Sequence, residues 1–192
     1  MITNHDRSRW FGASDTAVIM GNWGTKTFAK WWLVKLGIAQ QTYHSRAMDV
    51  GNIMEHAIID KVSELTGRRI RKGRRPLYSP LLRLRVNYDG LCRDCVVEIK
   101  TAKAMFATVP KNYWQQCQVL MYRTRRTRCE LWAYEVTEDD YAAPYFARIA
   151  PSRLRRFSIG YDPEWVENVY LPRLRVLARA LRGREFPHEN PG

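Results

Sequence analysis

The acidic residues Asp89 and Glu98 and the basic residue Lys100 lie within residues 87–100, where the sequence is NYDGLCRDCVVEIK. If the central Arg-Asp dipeptide forms the turn of an antiparallel hairpin, Asp89 on the first strand lies opposite Glu98 on the second. Side chains that face each other across two strands are about 4.5–5.5 Å apart at Cβ, and alternate residues of one strand share a face. Lys100 therefore joins the two carboxylates, and the segment predicts two acids and one ammonium group at one position of a sheet.

Paired carboxylates repel each other unless a positive charge lies between them, and a hard cation with oxygen ligands is the usual solution. Mg²⁺ or Mn²⁺ suits such a site, whereas Zn²⁺ prefers His or Cys ligands. The alternative is an exposed hairpin with a Glu–Lys surface pair. Glu55 favours the metal site, because it lies beside the apolar stripe of its predicted helix, one turn after Gly51. A third carboxylate there can reach the same cation, with the glycine leaving room for a close approach.

The elements that position these residues follow from periodicity and from capping residues. Helical spacing of apolar residues predicts the helix that carries Glu55, and Gly67 ends it. Ser14 and Thr27 are predicted N-caps of two earlier helices, and Pro172 predicts a kink in the last helix. In chain order, the predicted elements are helices over 15–20, 28–36 and 50–65, strands over 77–78, 82–87, 90–92 and 95–100, a helix over 113–124, strands over 129–136 and 143–149, and a helix over 162–181.

This order of elements predicts an α+β or mixed α/β fold with a central mixed sheet flanked by helices. No internal repeat, low-complexity tract or Gly/Ser linker divides the chain. We therefore expect a single domain over residues 1–192, with the core motifs at about 7–134 and a C-terminal strand and helix at about 143–182.

The charge of the chain indicates an anionic partner. Its 192 residues include 32 Lys+Arg against 19 Asp+Glu, a formal net charge of +13. Arginine dominates the basic clusters, and its planar guanidinium suits phosphate oxygens, so nucleic acid is the leading partner and an anionic membrane the runner-up. The clusters are Arg68, Arg69, Arg71, Lys72, Arg74, Arg75, Arg83 and Arg85; then Arg123, Arg125, Arg126 and Arg128; then Arg153, Arg155 and Arg156.

The remaining composition excludes several classes of protein. With 45% hydrophobic and 12% aromatic residues, the chain is not mainly disordered. No apolar run approaches the roughly 18–20 residues that span a bilayer, and the N-terminus lacks a signal-peptide core, so we expect a soluble, cytoplasmic protein. The four cysteines are then expected to be reduced thiols.

Five ordered segments carry a resemblance to a known family. They are Gly12-Ala13-Ser14-Asp15, Gly51-x-x-x-Glu55, Tyr88-Asp89-Gly90-Leu91, Glu98-Ile99-Lys100, and the glutamine-containing helix of residues 113–121. The series resembles the active-site motifs of the PD-(D/E)XK nuclease superfamily and, more narrowly, the phage lambda exonuclease / YqaJ-type viral recombinase family. Tyr88 stands where that family has proline, which shapes the end of the strand and does no chemistry. The resemblance implies a restriction-endonuclease-like core.

The resemblance also implies a metal site. Asp89 and Glu98 would bind the catalytic divalent cation, Mg²⁺ or its substitute Mn²⁺, with the backbone carbonyl of Ile99 as a further ligand. Glu55 would complete the site or extend it to a second ion. Two ions about 3.5–4 Å apart are a known arrangement for phosphodiester hydrolysis.

Further roles follow from the same resemblance. Lys100 would contact the attacking water or the scissile phosphate. Gln116 matches the family glutamine that packs near the site, and Gln118 is the second choice. His56, beside Glu55, is expected to be a helix-flank residue and not a ligand.

The expected substrate is double-stranded DNA, digested from an end. By analogy, Arg7 and Ser14 would bind the 5′ phosphate, although Arg9 is nearly as well placed as Arg7. The expected grip on the duplex backbone, which reads no sequence, consists of Arg68, Arg69, Arg71, Lys72, Arg74 and Arg75.

The leading hypothesis is thus a metal-dependent, processive 5′→3′ exonuclease of phage or prophage origin that supplies 3′ overhangs for recombination. The resemblance further implies a ring-shaped homotrimer and a single-strand annealing protein as partner. Two alternatives remain open, a restriction- or repair-type endonuclease on the same fold and a non-catalytic basic nucleic-acid-binding module. An iron–sulfur cluster on the four cysteines is disfavoured, because Cys92 and Cys95 lie inside the predicted hairpin, on the face opposite Asp89 and Glu98.

Overall fold

The computed structural model of the chain describes residues 8–40 and 45–187. Its helices are α1 (Thr16–Ile19), α2 (Lys26–Lys35), α3 (Arg46–Thr66), α4 (Lys111–Thr124), α5 (Glu138–Ala142), α6 (Pro163–Trp165) and α7 (Leu171–Gly183). Its strands are β1 (Arg71–Lys72), β2 (Leu77–Ser79), β3 (Leu84–Val86), β4 (Gly90–Leu91), β5 (Val96–Ala102), β6 (Arg128–Glu135) and β7 (Leu154–Gly160). Short 3₁₀ helices cover Ala13–Asp15 and Pro151–Arg153, and a π-helix covers Val166–Tyr170.

The described chain forms two compact units, each built from separate stretches of sequence. One unit comprises Met1–Thr42, Leu77–Val86 and Asp162–Gly192, and the other comprises Tyr43–Pro76 and Asn87–Tyr161. The expectation of a single domain stays a prediction. Within residues 8–40 and 45–187, no helix combines the length and the apolar character needed to cross a membrane.

The first unit packs helices α1, α2 and α7 with the small antiparallel sheet β2–β3. Trp32 is fully buried there, and its indole N–H donates to the carbonyl of Glu185 at 3.0 Å. The adjacent Trp31 is only partly buried and donates to Asp15 at 3.0 Å. The tryptophans of this unit thus have structural contacts within it.

The second unit is built on a five-stranded mixed sheet in the order β1-β4-β5-β6-β7. The central pair β5–β6 is parallel and is connected through α4, whereas every other pairing is antiparallel. Helix α3 packs against β5, and α4 packs against β5 and β6. This arrangement confirms the predicted fold class, a central mixed sheet flanked by helices.

The main core lies between the sheet and α3. Val97 and Ile99 of β5 contribute to it together with Ile58 of α3, and all three are buried. Cys92 and Cys95 lie in the same core, which confirms that they occupy the face opposite Glu98. All four cysteines carry free thiols in the structure.

Several predicted boundaries are wrong. Helix α3 begins at Arg46, because Ser45 caps it by accepting a hydrogen bond from the Met48 N–H. Helix α2 is capped by Thr25, whose hydroxyl accepts from the Phe28 N–H, and not by Thr27.

The C-terminal elements also depart from the prediction. Residues 143–149 form a turn and an irregular segment instead of a strand, and the last strand of the sheet is β7. Tyr145, Phe146 and Ile149 are residue types that strands favour, but Pro144 lacks the N–H that pairing in a sheet needs. The irregularity of the last helix is the π-helix Val166–Tyr170, which ends just before Pro172.

Candidate active site

The predicted hairpin forms with the predicted register. Gly90 pairs with Val97 and Leu91 with Val96, and the Cys92 N–H donates to the Cys95 carbonyl at 2.9 Å to close the turn. Asp89, the residue before β4, is thereby placed against β5. Its Oδ2 accepts a hydrogen bond of 2.7 Å from the backbone N–H of Ile99.

Glu98 and Lys100 share the face of β5 that α4 covers, as the period of two requires. The Lys100 ammonium donates to Oε1 of Glu98 at 2.6 Å. The side-chain amide of Gln116 on α4 donates to the same oxygen, also at 2.6 Å. Glu98 is only 3% exposed, so these two donors hold a buried carboxylate in one orientation.

Gln116, and not Gln118, is therefore the glutamine that contacts the site. The amide of Gln118 instead donates to the backbone carbonyl of Gly160 at 2.9 Å. The second-choice match is excluded for this role in the structure.

Glu55 reaches the site from α3, where the helix passes close to β5. A Cβ on Gly51 would lie 3.0 Å from Oγ1 of Thr101, so the glycine allows the close approach that the sequence predicted. Burial raises the pKa of Glu55 to about 7, and the charge of Glu98 adds to the rise while Lys100 opposes it.

The pKa of Asp89 is raised by the same two causes. Burial raises its pKa well above the usual range, with further increases from Glu98 and Glu55, while Lys100 and the Ile99 N–H lower it. Burial alone would lower the pKa of Lys100, but Glu98 and Asp89 outweigh this and raise it above its usual value. Three carboxylates thus concentrate negative charge around one ammonium group.

The donor chemistry of this cluster fits a hard divalent cation, since carboxylates that raise one another's pKa gain most from a cation among them. Asp89, Glu98 and Glu55 would hold it. In the part of the chain that the structure describes, no three His, Cys, Asp or Glu side chains are placed to hold a metal ion, so cation binding by Asp89, Glu98 and Glu55 is a proposal. Oε1 of Glu98 is engaged by Lys100 and Gln116. The role of the Ile99 carbonyl stays a prediction.

Tyr113 is a site residue that the sequence did not single out. Its ring lies under the Lys100 ammonium, 5.2 Å from the ring centroid. Tyr113 precedes Gln116 by three positions on α4, so both side chains face the same neighbour. That spacing was the signal available in the sequence.

The residues predicted to bind the 5′ phosphate are Arg7 and Ser14. Arg7 lies outside the described residues, and Ser14 belongs to the first unit. Ser14 is exposed inside the 3₁₀ helix Ala13–Asp15, whose N-cap is Gly12, so the predicted N-cap role of Ser14 is wrong. Arg9, the alternative to Arg7, adopts a left-handed backbone conformation with φ of 64° in the same unit.

The basic segment of residues 68–75 divides into two groups. Arg68 donates to Glu130 at 2.7 Å and also pairs with Asp94, and Lys72 pairs with Asp60 at 2.7 Å. These two cations are engaged within the protein, and the role of the segment in binding DNA stays a prediction. The other four side chains line a solvent-filled groove and are Arg69, Arg71, Arg74 and Arg75.

Comparison with solved structures shows the class of protein that this fold defines. The alkaline exonuclease LHK-Exo from Laribacter hongkongensis superposes with a TM-score of 0.66 at 17% identity, covering 92% of this chain and 90% of that chain. LHK-Exo in complex with dAMP gives a TM-score of 0.69 at 17% identity, with the same coverage of 92% and 90%. A phage related exonuclease from Haemophilus somnus 129PT gives 0.67 at 13% identity, covering 90% of this chain and 92% of that chain. The fold is that of the nuclease-fold exonucleases.

The family follows from the sequence match. The model of the YqaJ-like viral recombinase domain matches residues 4–127, more than half of the chain. The chain belongs to the YqaJ-like viral recombinase domain family, which confirms the resemblance seen in its motifs. No curated protein matches the chain. Family and fold together support a DNA nuclease.

Proposed function

We propose that this chain is a metal-dependent deoxyribonuclease that digests double-stranded DNA 5′→3′ from an end and leaves 3′ single-stranded overhangs for phage-type recombination. The observation that carries the proposal is the cluster in which Lys100 and Gln116 fix the buried Glu98 beside Asp89 and Glu55. Membership of a viral recombinase family supports the link to recombination.

Asp89, Glu98 and Glu55 would hold Mg²⁺, or Mn²⁺ in its place, with two ions per site. A bound divalent cation lowers the pKa of a water molecule and offsets the charge of the phosphate under attack. Because the pKa of Glu55 is about 7, cation binding at neutral pH must displace a proton from part of the Glu55 population.

Lys100 has a defined role in this proposal. Its raised pKa keeps the ammonium protonated at neutral pH, so it donates hydrogen bonds and does not accept a proton. Placed beside Glu98, it can contact a phosphate oxygen or orient the attacking water. Gln116 is a positioning residue, since it holds Glu98 in the orientation that Lys100 shares.

The proposed partners follow the same argument. The substrate is the end of a DNA duplex, the active form is a homotrimeric ring, and a single-strand annealing protein receives the 3′ overhang. The basic character of the chain, with a net charge of +13, supports a nucleic-acid substrate.

The decisive experiment uses linear duplex DNA labelled at either the 5′ or the 3′ end, together with a closed circular duplex, with and without Mg²⁺. We expect Mg²⁺-dependent release of the 5′ label as mononucleotide, while the circle stays intact. Cleavage of the circle would support the endonuclease alternative, and absence of digestion under all conditions would support the non-catalytic module.

A matched pair of lysine variants tests the site. Lys100→Ala is expected to lower digestion by about 10²–10³-fold, as removal of one preorganised donor does in other enzymes. Lys103→Ala removes the same charge three residues further along, from a side chain that is 71% exposed, and is expected to digest DNA normally. Equal activity in both variants contradicts the assignment of Lys100.

A further inference from the structure

A cavity of about 1120 Å³ opens beside β1 and β4 in the second unit. Its lining contains no acidic residue, and six arginines dominate it, namely Arg69, Arg71, Arg74, Arg75, Arg93 and Arg126. We call this cavity the basic groove. A concave surface with this charge favours an anionic ligand, because clefts lined by one sign of charge focus the field.

The arginines of the basic groove are available to a ligand. Arg69, Arg71, Arg74, Arg75 and Arg93 are exposed. Within the described residues they form no ion pair, in contrast to the neighbouring Arg68 and Lys72. The acidic side chains near this segment are already engaged, since Glu130 pairs with Arg68.

The basic groove includes sequence neighbours of two residues of the acidic cluster. Tyr88, which precedes Asp89, and His56, which follows Glu55, both line it. The backbone N–H of Gly73 donates to the Asp89 carbonyl at 2.8 Å, so the arginine-bearing segment is attached directly to the residue that carries a site carboxylate. The groove is thus connected to Asp89 through the backbone, while the side chains of Glu55, Asp89, Glu98 and Lys100 are not part of its lining.

The size and lining of the groove indicate which anion it takes. Its volume exceeds the roughly 300–1,000 Å³ of common small-molecule pockets, so a mononucleotide would leave part of the cationic lining unmatched. Tyr88 and the guanidinium planes offer flat surfaces on which unpaired bases can stack. A paired duplex keeps its bases stacked on one another and uses none of these surfaces.

We propose that the basic groove binds a single nucleic-acid strand, through its phosphates and through stacking of unpaired bases. The proposal rests on the proposed function, in which a duplex end must be opened for one strand to reach the site. Arg93 and Arg126, which lie far from residues 68–75 in sequence, belong to this surface, whereas Arg68 does not. Lys72 also lines the groove, but it pairs with Asp60.

The test measures binding of a fluorescein-labelled single strand of about ten nucleotides by fluorescence anisotropy, in EDTA so that no strand is cut. Arg71→Ala/Arg93→Ala is expected to lose about tenfold or more in affinity, and the slope of log K against log salt should fall by about 1.4 for two lost phosphate contacts. The matched control is Arg175→Ala/Arg179→Ala on α7, where both side chains are exposed. It removes the same charge and should bind within about twofold of the unchanged protein.

Three results would overturn the proposal: unchanged strand affinity in the groove variant, an equal loss in the α7 control, or a loss confined to blunt duplex. Thermal melting checks that both variants fold, which exposed substitutions normally allow. If the unchanged protein digests no DNA while the groove variant still loses strand affinity, the proposed function fails and the groove assignment stands. If the unchanged protein digests DNA while the groove variant keeps its strand affinity, only the groove assignment fails.

Discussion

Two buried glutamates on neighbouring strands of the central sheet have opposite surroundings. Glu98 on β5 and Glu130 on β6 are each 3% exposed, and the register places them one residue apart, so they point to opposite faces. Glu130 accepts from Arg68 at 2.7 Å and lies 3.5 Å from Arg128. Glu98 meets one lysine, with two further acids close by.

The pKa values of the neighbours reflect this difference. The hydrogen bond from Arg68 to Glu130 raises the pKa of that guanidinium, as expected for a cation beside a buried anion. Around Glu98, burial and mutual repulsion raise the pKa of Asp89 and Glu55 instead. The charge of Glu130 is compensated by the protein, whereas the acids around Lys100 leave an excess of negative charge, which the proposed cation would offset. Burial of an acid thus says little about function until its partners are known.

Exchanging each glutamate for glutamine should separate the two roles most sharply. Glu98→Gln keeps the shape but removes the charge, and DNA digestion is expected to fall by about 10²–10³-fold. Glu130→Gln should leave the rate of digestion by folded protein within about twofold. Rates are measured on linear duplex in Mg²⁺ below the melting temperature, and similar losses in both variants would refute the division.

The effects of the two substitutions on the free energy of unfolding should have the reverse order. Glu130→Gln leaves Arg68 and Arg128 without their shared anion and is expected to lower the free energy of unfolding by about 3 kcal/mol. Glu98→Gln relieves repulsion within the acidic cluster, so in EDTA it should not destabilise the fold. Urea unfolding of both variants in EDTA provides the measurement, and a stable Glu130→Gln protein would contradict the expectation.

The pH dependence of stability should respond to Glu55. Because the pKa of Glu55 is raised from 4.5 to about 7 in the folded chain, the folded state binds more protons, and stability without metal falls as the pH rises from 4.5 through about 7. Glu55→Gln should remove part of this decline and stabilise the metal-free protein by about 2 kcal/mol at pH 8. Denaturant unfolding in EDTA at pH 5 and pH 8 measures the difference. Identical slopes in both proteins would show that Glu55 is not buried against the other acids.

The smallest expected effect concerns the ring beneath Lys100. Tyr113→Leu removes a cation–π contact of about 1 kcal/mol and should lower the rate of digestion by about fivefold. Tyr113→Phe retains the ring and should retain the rate. Single-turnover rates distinguish the two variants, and a loss in both would assign the role to the hydroxyl.

The hairpin was predictable from sequence because its determinants are local. A two-residue turn fixes the pairing of Gly90 with Val97, and strict alternation then assigns Glu98 and Lys100 to one face. Glu55 was predictable from the apolar stripe of α3 and from Gly51. These signals lie within single elements or between neighbouring ones.

Features that depend on distant residues were missed. Arg68 looked like a free DNA contact because its partner Glu130 is 62 residues away. Strand β7 was missed because most of its residues are exposed or half-buried, with the arginines Arg155 and Arg156 in its centre, so it lacks the apolar alternation of an internal strand. The sequence does not indicate which charges meet once strands from separate regions are paired.

The contact at Gly73 restricts which residue the chain can have at this position. A single added carbon there would lie 1.8 Å from the Tyr88 carbonyl oxygen, so every side chain other than hydrogen forces this loop away from the strand end that holds Asp89. On one side of the glycine Lys72 pairs with Asp60, and on the other side Arg74 and Arg75 are exposed. Any exchange of this loop must therefore keep glycine at position 73. This holds for recombination between relatives and for a deliberate exchange that changes how tightly a strand is held.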